Sequence, residues 1–395
     1  MAIERSPKRV YQRKKKRNPL HQKTDSKPLP DLPHEIIVEI LSRLPVKTLM
    51  RFRCVCESWR SLISDPKFAK THLSLASSNT DYTHRRLLLR SDDDPHDFKS
   101  CSIFSIMYER CDAAVGLDFG LDGVRIVGSC NGLVCMTFGL KTLFIWNPST
   151  RKFRILPDIE VPWWNRCTVY QRSRFPVCGF GYDESIDDYK VVLIFQAQVN
   201  WEYKNTVAVY TSRTDSWRTI GDCPHQVNGS GKFVSGALHW IGHVEIKDII
   251  VSFDLAKETY GEVSQPDYIH FANRYLTMEV LSGCLCMLCD YDGLGVELWV
   301  MKEYGIRESW TMLFDIYDDS HELIHGKNLS PKCISKNGDV LMVVTGRDVK
   351  GHLVGYNWKD GKIWYPKIHQ CFPSFSAYPY IESLVSPCTD ADSGD

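Results

Sequence analysis

Residues 29–73 read LPDLPHEIIVEILSRLPVKTLMRFRCVCESWRSLISDPKFAKTHL, and they are the one compact helical signal in the sequence. Apolar side chains recur there every three or four positions, which is the spacing of one face of a helix. Asp31 is placed to cap a first helix. Pro45 separates it from a second, because proline breaks a helix interior but is tolerated at a helix start. Asp65-Pro66 ends the pattern, so the stretch predicts three short helices.

Three helices of this length bury only a small core, so the module is expected to be marginal alone. Its apolar content is greater than one internal face can hide. Part of its surface is therefore predicted to be an interface with another protein, while Cys54 and Cys56 are expected to pack within a helix. The alternative is a helical cap that packs on the domain that follows.

The spacing of residues 32–63 resembles the F-box of plant F-box proteins along its full length. The resemblance implies docking onto a Skp-family adaptor, which links the chain indirectly to the cullin and RING subunits of a ubiquitin ligase. The residues that match the family's adaptor contacts are Leu32, Pro33, Ile36, Ile40, Leu44, Pro45, Leu49 and Val55. Trp59 matches the tryptophan that holds the third helix in place. We expect Trp59 and Leu62 mainly in the core, and Leu32 and Pro33 mainly at the interface.

The composition of the 395 residues is that of a soluble globular protein, with 43% hydrophobic and 24% charged residues. No apolar run reaches transmembrane length, and the N-terminus lacks the apolar segment of a secretory signal. We therefore predict no membrane association and a location in the nucleus and cytoplasm. The 15 cysteines are then reduced thiols.

Residues 1–27 hold ten Lys or Arg and only two acidic residues, and residues 13–17 are an unbroken cationic block. Like charges repel, so we predict a disordered basic arm over 1–27, and we predict a disordered acidic tail over 387–395. The block suits a nuclear-import signal, a contact to phosphates or a solubilising tail. Tyr11 is the only aromatic residue of the arm, which argues against a base-stacking platform for nucleic acid.

From residue 85 onward the sequence alternates short apolar runs with turn signals, and two kinds of hairpin recur. One kind has aromatic residues on both sides of a polar turn, and its copies begin at Phe144, Val209, Ser252, Leu298 and Tyr356. The other kind precedes each of these and lies at 130–134, 181–192, 235–240, 282–286 and 336–341. Asn-Gly turns between apolar runs, as at Asn131-Gly132, are strong hairpin signals.

Two hairpins make a four-stranded unit, and five units spaced by about 45–60 residues are typical of a β-propeller. Segments 87–89 and 103–106 offer two strands before the first unit, and 381–385 offers one after the last. Together they would form a mixed sixth blade that closes the ring. We predict six blades over residues 85–386, with seven blades or a pair of β-sandwiches as the alternatives.

This region also resembles the kelch-like F-box-associated domain of plant F-box proteins. The matching segments are 129–134, 146–151, 179–183, 188–192, 236–240 and 382–385. The predicted fold is therefore α+β multidomain, with a small all-α F-box at 28–74 followed by an all-β kelch-like propeller.

The strand order separates two faces of such a propeller. The turns inside each hairpin lie on one face, and the long crossovers between units lie on the other. The crossovers are rich in Trp, Tyr and Arg, the residue types that dominate binding hot spots. We predict that a protein substrate binds there, through Trp163, Trp164, Arg166, Tyr170, Arg172, Tyr268, Phe271 and Tyr275. The alternative is that these aromatic side chains pack into the clefts between blades.

No residue pattern of an active site stands out. Cys284, Cys286 and Cys289 have no fourth ligand at zinc spacing and are predicted to lie on a core strand. His239 is predicted to be a core histidine. The sequence lacks the short motifs of nucleophile elbows, phosphate loops and zinc proteases, so we predict no catalytic residue, no metal and no cofactor.

These features predict a non-catalytic substrate-recognition subunit of an SCF-type ubiquitin ligase. The F-box would hold the adaptor, and the propeller would capture an unidentified protein target. The subunit would then promote ubiquitin transfer only by raising the effective concentration of the target at the ligase. One alternative is a propeller enzyme with a helical cap. Another is a nuclear binder of nucleic acid or chromatin that uses the basic arm.

Overall fold

A computed structural model shows a small helical module followed by a β-propeller. It describes residues 32–94, 97–117, 119–120, 123–139, 142–161, 176–199, 202–244, 247–267, 275–292, 294–317, 327–346 and 351–388. The predicted basic arm and residues 389–395 lie outside the described part of the chain.

Four helices form the N-terminal module. They are α1 (His34–Leu41), α2 (Val46–Phe52), α3 (Glu57–Ser64) and α4 (Pro66–Ser78). The expectation that Asp65-Pro66 ends the helical pattern is wrong, because the Asp65 carboxylate accepts a hydrogen bond from the Lys67 amide at 2.7 Å and caps a fourth helix. Pro66 occupies the first position of α4, where a missing N–H costs nothing.

The module has its own small core. Leu41, Leu49, Ile63 and Phe68 are each at most 4% exposed and pack together. Pro33 stands at the start of α1 without a side-chain cap, and Asp31 lies outside the described residues. Of the helices that the structure describes, none has the length and apolar character needed to cross a membrane.

The β-domain contains 26 strands within the described ranges, numbered in chain order. The first four are β1 (Arg85–Ser91), β2 (Phe98–Ser102), β3 (Cys111–Ala113) and β4 (Val115–Leu117). The next four are β5 (Val124–Cys130), β6 (Leu133–Phe138), β7 (Thr142–Trp146) and β8 (Phe153–Ile155). They are followed by β9 (Val177–Asp183), β10 (Asp188–Val199), β11 (Glu202–Thr211) and β12 (Ser216–Ile220).

The second half of the β-domain repeats this arrangement. It begins with β13 (Gln226–Val234), β14 (Ala237–Val244), β15 (Lys247–Asp254) and β16 (Thr259–Val263). It continues with β17 (Tyr275–Leu281), β18 (Cys284–Asp290), β19 (Val296–Met301) and β20 (Trp310–Ile316). The last strands are β21 (Lys327–Ile334), β22 (Asp339–Gly346), β23 (His352–Asn357), β24 (Lys362–Trp364), β25 (Lys367–His369) and β26 (Phe375–Ile381).

Consecutive strands pair into antiparallel meanders. β5–β8, β17–β20 and β21–β24 are separate four-stranded sheets. β9–β12 and β13–β16 are two further meanders, which a short parallel pairing of β9 with β13 joins into one eight-stranded sheet. All ten predicted hairpins are therefore present in the structure.

The closing sheet mixes the two ends of the domain, as predicted, but with different strands. Its order is β26-β1-β2-β4, and β26 pairs antiparallel along the whole of β1. Segment 103–106 is not a strand, because the chain enters a helical turn at Ser105–Glu109. The closing strand ends at Ile381, so residues 382–385 are not a strand either. β3 and β25 form a small parallel pair beside it.

The aromatic residues of the repeats fix the strands and the start of the crossovers. Trp146 and Trp240 are almost fully buried between sheets. The indole N–H of Trp217 donates to the Pro157 carbonyl, and that of Trp310 donates to the Ser264 carbonyl, each at 2.7 Å. These bonds tie a crossover to the outer strand of the next meander.

Candidate binding surfaces

Several apolar side chains of the helical module are exposed, and together we call them the apolar surface. They are Leu32, Pro33, Ile36, Ile40, Pro45 and Val55. Leu32 is 57% exposed and Val55 is 61% exposed. Exposed aliphatic side chains on so small a module are typical of an interaction site. All six were assigned to adaptor contact from the sequence.

The α1 helix shows why this surface and the core are distinct. Ile36 and Ile40 lie one turn apart and are exposed. Ile37 and Val38 are half-buried against the module core, and Leu41 is 1% exposed within it. Side chains three or four residues apart share a helix face, so one side of α1 forms the core and the other forms the apolar surface.

Two of the predicted adaptor contacts are placed differently. Leu49 has no exposed area and belongs to the module core, so its assignment as a direct contact is corrected to that of a core residue. It faces inward from α2 and shares the core with Leu41 of α1 and Ile63 of α3. Leu44 is half-buried against the same core and keeps part of its side chain accessible.

The third helix is held as expected. The rings of Trp59 and Phe52 lie 5.2 Å apart, and Trp59 and Leu62 are both half-buried on the module core. Cys54 and Cys56 do not pack within a helix, however. Both are exposed, because α2 ends at Phe52 and the two thiols lie in the connection to α3.

The C-terminal segment joins the helical module to the propeller. Leu384 packs against the module core. The Asn147 side-chain amide, in the turn after β7, donates to the Ser383 carbonyl at 3.0 Å and to the Val385 carbonyl at 2.7 Å. Residues 382–385 therefore contact both units at once.

Further contacts place the module on one face of the propeller. The Tyr82 hydroxyl hydrogen-bonds Ser282 at 2.9 Å and donates to the Ile334 carbonyl. Lys70 pairs with Asp187 in the turn between β9 and β10. Ser282, Asp187 and Ile334 all lie where a first strand of a meander meets its hairpin turn, so the module rests on the face that carries those turns.

One buried and one half-buried histidine lie at this junction. His72 of α4 is fully buried, and its Nε2 donates to the Leu44 carbonyl at 2.9 Å. Its ring lies edge-on to that of His84, with 5.6 Å between centroids. Burial lowers the pKa of both imidazoles, and His72 lowers that of His84 further, so both are neutral at pH 7.

One of the predicted substrate residues, Tyr275, lies on the opposite face of the propeller. Tyr275 begins β17 and is 63% exposed. The other end of β17 leads into the turn at Ser282 that contacts Tyr82, so Tyr275 lies a full strand, about 20 Å, away from the helical module. The remaining predicted residues lie outside the described part of the chain: Trp163, Trp164, Arg166, Tyr170, Arg172, Tyr268 and Phe271.

A cavity of about 420 Å³ lies between the first strands of the meanders and the closing strand β26. Lys232 of β13, Glu279 of β17 and Lys332 of β21 project into it, and Ser77 of α4 and Arg85 of β1 line it as well. The sequence prediction missed this cluster. A sequence signal for the cluster was present, because Lys232, Glu279 and Lys332 each lie three positions before a serine of a hairpin turn. These serines are Ser235, Ser282 and Ser335.

The predicted core histidine is buried and fully hydrogen-bonded. His239 is 0% exposed, its Nδ1 donates to the Lys232 carbonyl at 3.0 Å, and its Nε2 accepts from the Tyr304 hydroxyl at 2.7 Å. Cys286 and Cys289 are buried in β18, as predicted for a core strand. Within the described ranges, no group of three or more His, Cys, Asp or Glu residues is placed to hold a metal ion.

Comparisons with known proteins divide the chain in the same way as the structure. The family described as F-box domain matches residues 29–71. The family described as F-box associated beta propeller domain matches residues 87–375. The two matches correspond to the helical module and to the propeller.

Relatives with both parts occur in Arabidopsis thaliana. An F-box/kelch-repeat protein is 33% identical over 371 residues, which cover 90% of this chain and 96% of the relative. The F-box protein CPR1 is 29% identical over 396 residues, which cover 90% of this chain and 89% of the relative. The similarity therefore extends over both units and not over the helical module alone.

Proposed function

This chain belongs to the F-box proteins that carry an F-box associated β-propeller domain, and we propose that it is the substrate-recognition subunit of an SCF-type ubiquitin ligase. In this proposal the helical module binds a Skp-family adaptor, and through it the cullin and RING subunits. The propeller recruits a protein target for ubiquitin transfer.

The observation that carries the proposal is the apolar surface. Its aliphatic side chains and two prolines are exposed on a module that already has a closed core. Covering them with a partner removes apolar area from water, and the prolines and short side chains lose little conformational freedom on binding. An adaptor that offers a complementary apolar groove fits this chemistry.

In the proposed complex the chain does no chemistry of its own. It raises the effective concentration of the target near the ubiquitin-carrying enzyme. The contacts of Leu384, Tyr82 and Lys70 support this role, because they fix the helical module against one face of the propeller. The opposite face is then held at a defined distance from the adaptor-binding module.

We place the target on that opposite face. The exposed Tyr275 at the far end of β17 supports this choice. Trp163, Trp164 and their neighbours to Arg172 supply the residue types that anchor interfaces. Proximity labelling with the proteasome blocked should yield a set of proteins whose recovery falls in a Trp163→Ala, Trp164→Ala variant; an unchanged set would exclude those two residues.

Six blades are the arrangement we favour for the ring. The support is the division of the eight-stranded sheet into two meanders, β9–β12 and β13–β16, that are joined only by a short parallel pairing. Each meander then counts as one blade beside the three separate meanders and the closing sheet.

We also propose that the chain works in the nucleus and cytoplasm, with residues 13–17 as an import signal. The support is the charge of the N-terminal arm. A fluorescent fusion that lacks residues 1–27 should lose its nuclear fraction, and an unchanged distribution would contradict the import role.

The adaptor interaction can be tested by pull-down of the full chain with a Skp-family adaptor and a cullin. We expect the double variant Leu32→Ala, Pro33→Ala to lose both partners. Leu294→Ala is the matched control, because Leu294 is an equally exposed aliphatic side chain (62%) on the propeller. Equal recovery from the wild type and the double variant would contradict the proposal.

A further inference from the structure

The cavity on the propeller axis is lined by charged side chains whose positions are equivalent in three neighbouring meanders. Lys232 Nζ lies 2.7 Å from Glu279 Oε2, and Lys332 Nζ lies 3.1 Å from Glu279 Oε1. The Ser330 hydroxyl completes the group, because it donates to Glu279 at 3.0 Å and accepts from Lys332 at 2.6 Å. One carboxylate is therefore shared by two ammonium groups.

The charge of this cluster is not balanced. Burial opposes the ionisation of Glu279, but the two lysines outweigh it and hold the pKa of its carboxyl at about 2. Burial lowers the pKa of Lys332, and Lys232 lowers it further, although Glu279 acts in the opposite direction. With both lysines protonated, the three side chains carry a net charge of +1 in a partly desolvated space.

Arg85 adds a second excess positive charge at the end of the cavity nearest α4. Its guanidinium lies 5.8 Å from the centre of the Tyr82 ring. Among the residues that the structure describes, no carboxylate pairs with it. Ser77 of α4 and Ser235 of the turn after β13 contribute hydroxyl groups to the same lining. Cations with unused N–H donors and nearby hydroxyl groups are the usual components of phosphate sites.

We infer that the axial cavity binds a small molecule that carries a phosphate or diphosphate group, held by Lys232, Lys332 and Arg85. A volume of about 420 Å³ accommodates a small metabolite. The bound anion neutralises the positive charge of the lysines and Arg85 that the Glu279 carboxylate does not balance. This site is separate from the apolar surface and from the crossover face, so it does not depend on the proposed function.

The ligand would also connect the two units of the protein. Ser77 belongs to the helical module, whereas Lys232 and Lys332 belong to the propeller. A ligand that contacts both sides stabilises the folded arrangement by an amount that grows with the logarithm of its concentration relative to Kd. Diphosphate should therefore raise the thermal unfolding temperature of the full chain.

The test is isothermal titration of the full chain with sodium pyrophosphate, compared with sodium chloride at matched ionic strength. We expect saturable binding of one pyrophosphate and no saturable heat from chloride. Lys332→Met, which preserves side-chain length, should weaken binding about tenfold or more, since it removes a charge-assisted contact. Lys257→Met is the matched control, because Lys257 is a 77% exposed lysine outside the cavity.

A second variant separates a binding site from a purely structural ion cluster. Glu279→Gln leaves both lysines in place and removes the competing carboxylate, so pyrophosphate affinity should rise about tenfold. If the Lys332→Met variant fails to fold, the pyrophosphate affinity of the Glu279→Gln variant decides the test. Absence of saturable pyrophosphate binding by the wild type, equal binding by the Lys332→Met and Lys257→Met variants, or weaker binding by the Glu279→Gln variant would each overturn the inference.

Discussion

At the scale of single residues, exposure divides the predicted adaptor contacts into two roles. Ile40 is 48% exposed on the apolar surface, whereas Leu49 is fully buried beneath it. Helical periodicity identified both as apolar positions, but periodicity alone does not say which apolar stripe faces the core when a module has more than one. That choice depends on how α2 packs between its neighbours.

Alanine variants of Leu49 and Ile40 should therefore differ in which property they lose, stability or adaptor binding. Leu49→Ala should destabilise the helical module by about 2–5 kcal/mol, the cost of a cavity at a fully buried leucine. Ile40→Ala should leave stability within about 0.5 kcal/mol of wild type, as surface changes usually do, yet weaken adaptor binding. Urea unfolding followed by circular dichroism and adaptor titration measure the two effects. Similar loss of stability in both variants would contradict the division.

His239 predicts a pH dependence of stability. Burial lowers its pKa to about 4, whereas the unfolded chain has a histidine pKa of about 6.5. As pH falls below 6.5, the unfolded state takes up the proton first, so the free energy of unfolding decreases until the folded pKa is reached. The expected loss between pH 6.5 and 4 is about 3 kcal/mol.

Urea unfolding of wild type and His239→Gln across this pH range isolates the contribution. The buried His72 and the half-buried His84 destabilise both proteins alike on acidification. The difference between the two curves should therefore shrink toward low pH. Parallel curves would show that His239 does not have the low pKa that its burial implies.

At the scale of elements, the hairpins were predictable and the closure of the ring was less so. Turn signals such as Asn131-Gly132 act locally, and every hairpin they predicted is formed. The closing strand β26 instead depends on pairing with β1, nearly 300 residues away, and residues 382–385 resembled a strand without having a strand partner. The Lys232–Glu279–Lys332 cluster was missed for a related reason: its charges meet only when three neighbouring meanders are placed side by side.

The turn that contains Gly132 packs directly against residues 382–385 of the C-terminal segment. Gly132 has φ of +82°, and a Cβ there would lie 2.1 Å from Ser383 Oγ. Gly236 occupies the equivalent turn after β13 with φ of +77°, but its Cβ would meet nothing within 4 Å. Both alanine variants carry the left-handed backbone cost of about 1 kcal/mol.

Gly132→Ala should therefore be clearly less stable than Gly236→Ala in urea unfolding, because only the former displaces Ser383. The matched backbone strain cancels in the comparison. Equal stability of the two variants would mean that the 382–385 segment moves aside without cost.

Truncation of the chain tests whether residues 382–385 connect the helical module to the propeller. A chain that ends at Ile381 keeps all of β26 but loses Leu384 and the carbonyls bound by Asn147. We expect cleavage between residues 79 and 84 by limited proteolysis to become about tenfold faster, because the helical module separates more often from the propeller. A chain that ends at Cys388 is the control, and equal cleavage rates would contradict the connecting role.

At the scale of the whole molecule, the helical module and the crossover face lie at opposite ends of the propeller strands. The sequence was sufficient to separate the hairpin turns from the crossovers, because strand order alone assigns them to different faces, but it did not indicate on which face the helical module lies. It was not sufficient for the contacts that hold the module in place, such as Tyr82 with Ile334 and Lys70 with Asp187. Those contacts join residues more than 100 positions apart, and no local pattern indicates them.

The central claim is that the apolar surface binds a Skp-family adaptor, and the most direct test is calorimetric titration of the full chain with that adaptor at several temperatures. The claim predicts one adaptor per chain and a negative heat-capacity change on binding, the signature of buried apolar area. It also predicts loss of this binding in the Leu32→Ala, Pro33→Ala variant. Absence of binding by the wild type, or binding that the variant retains unchanged, would contradict it.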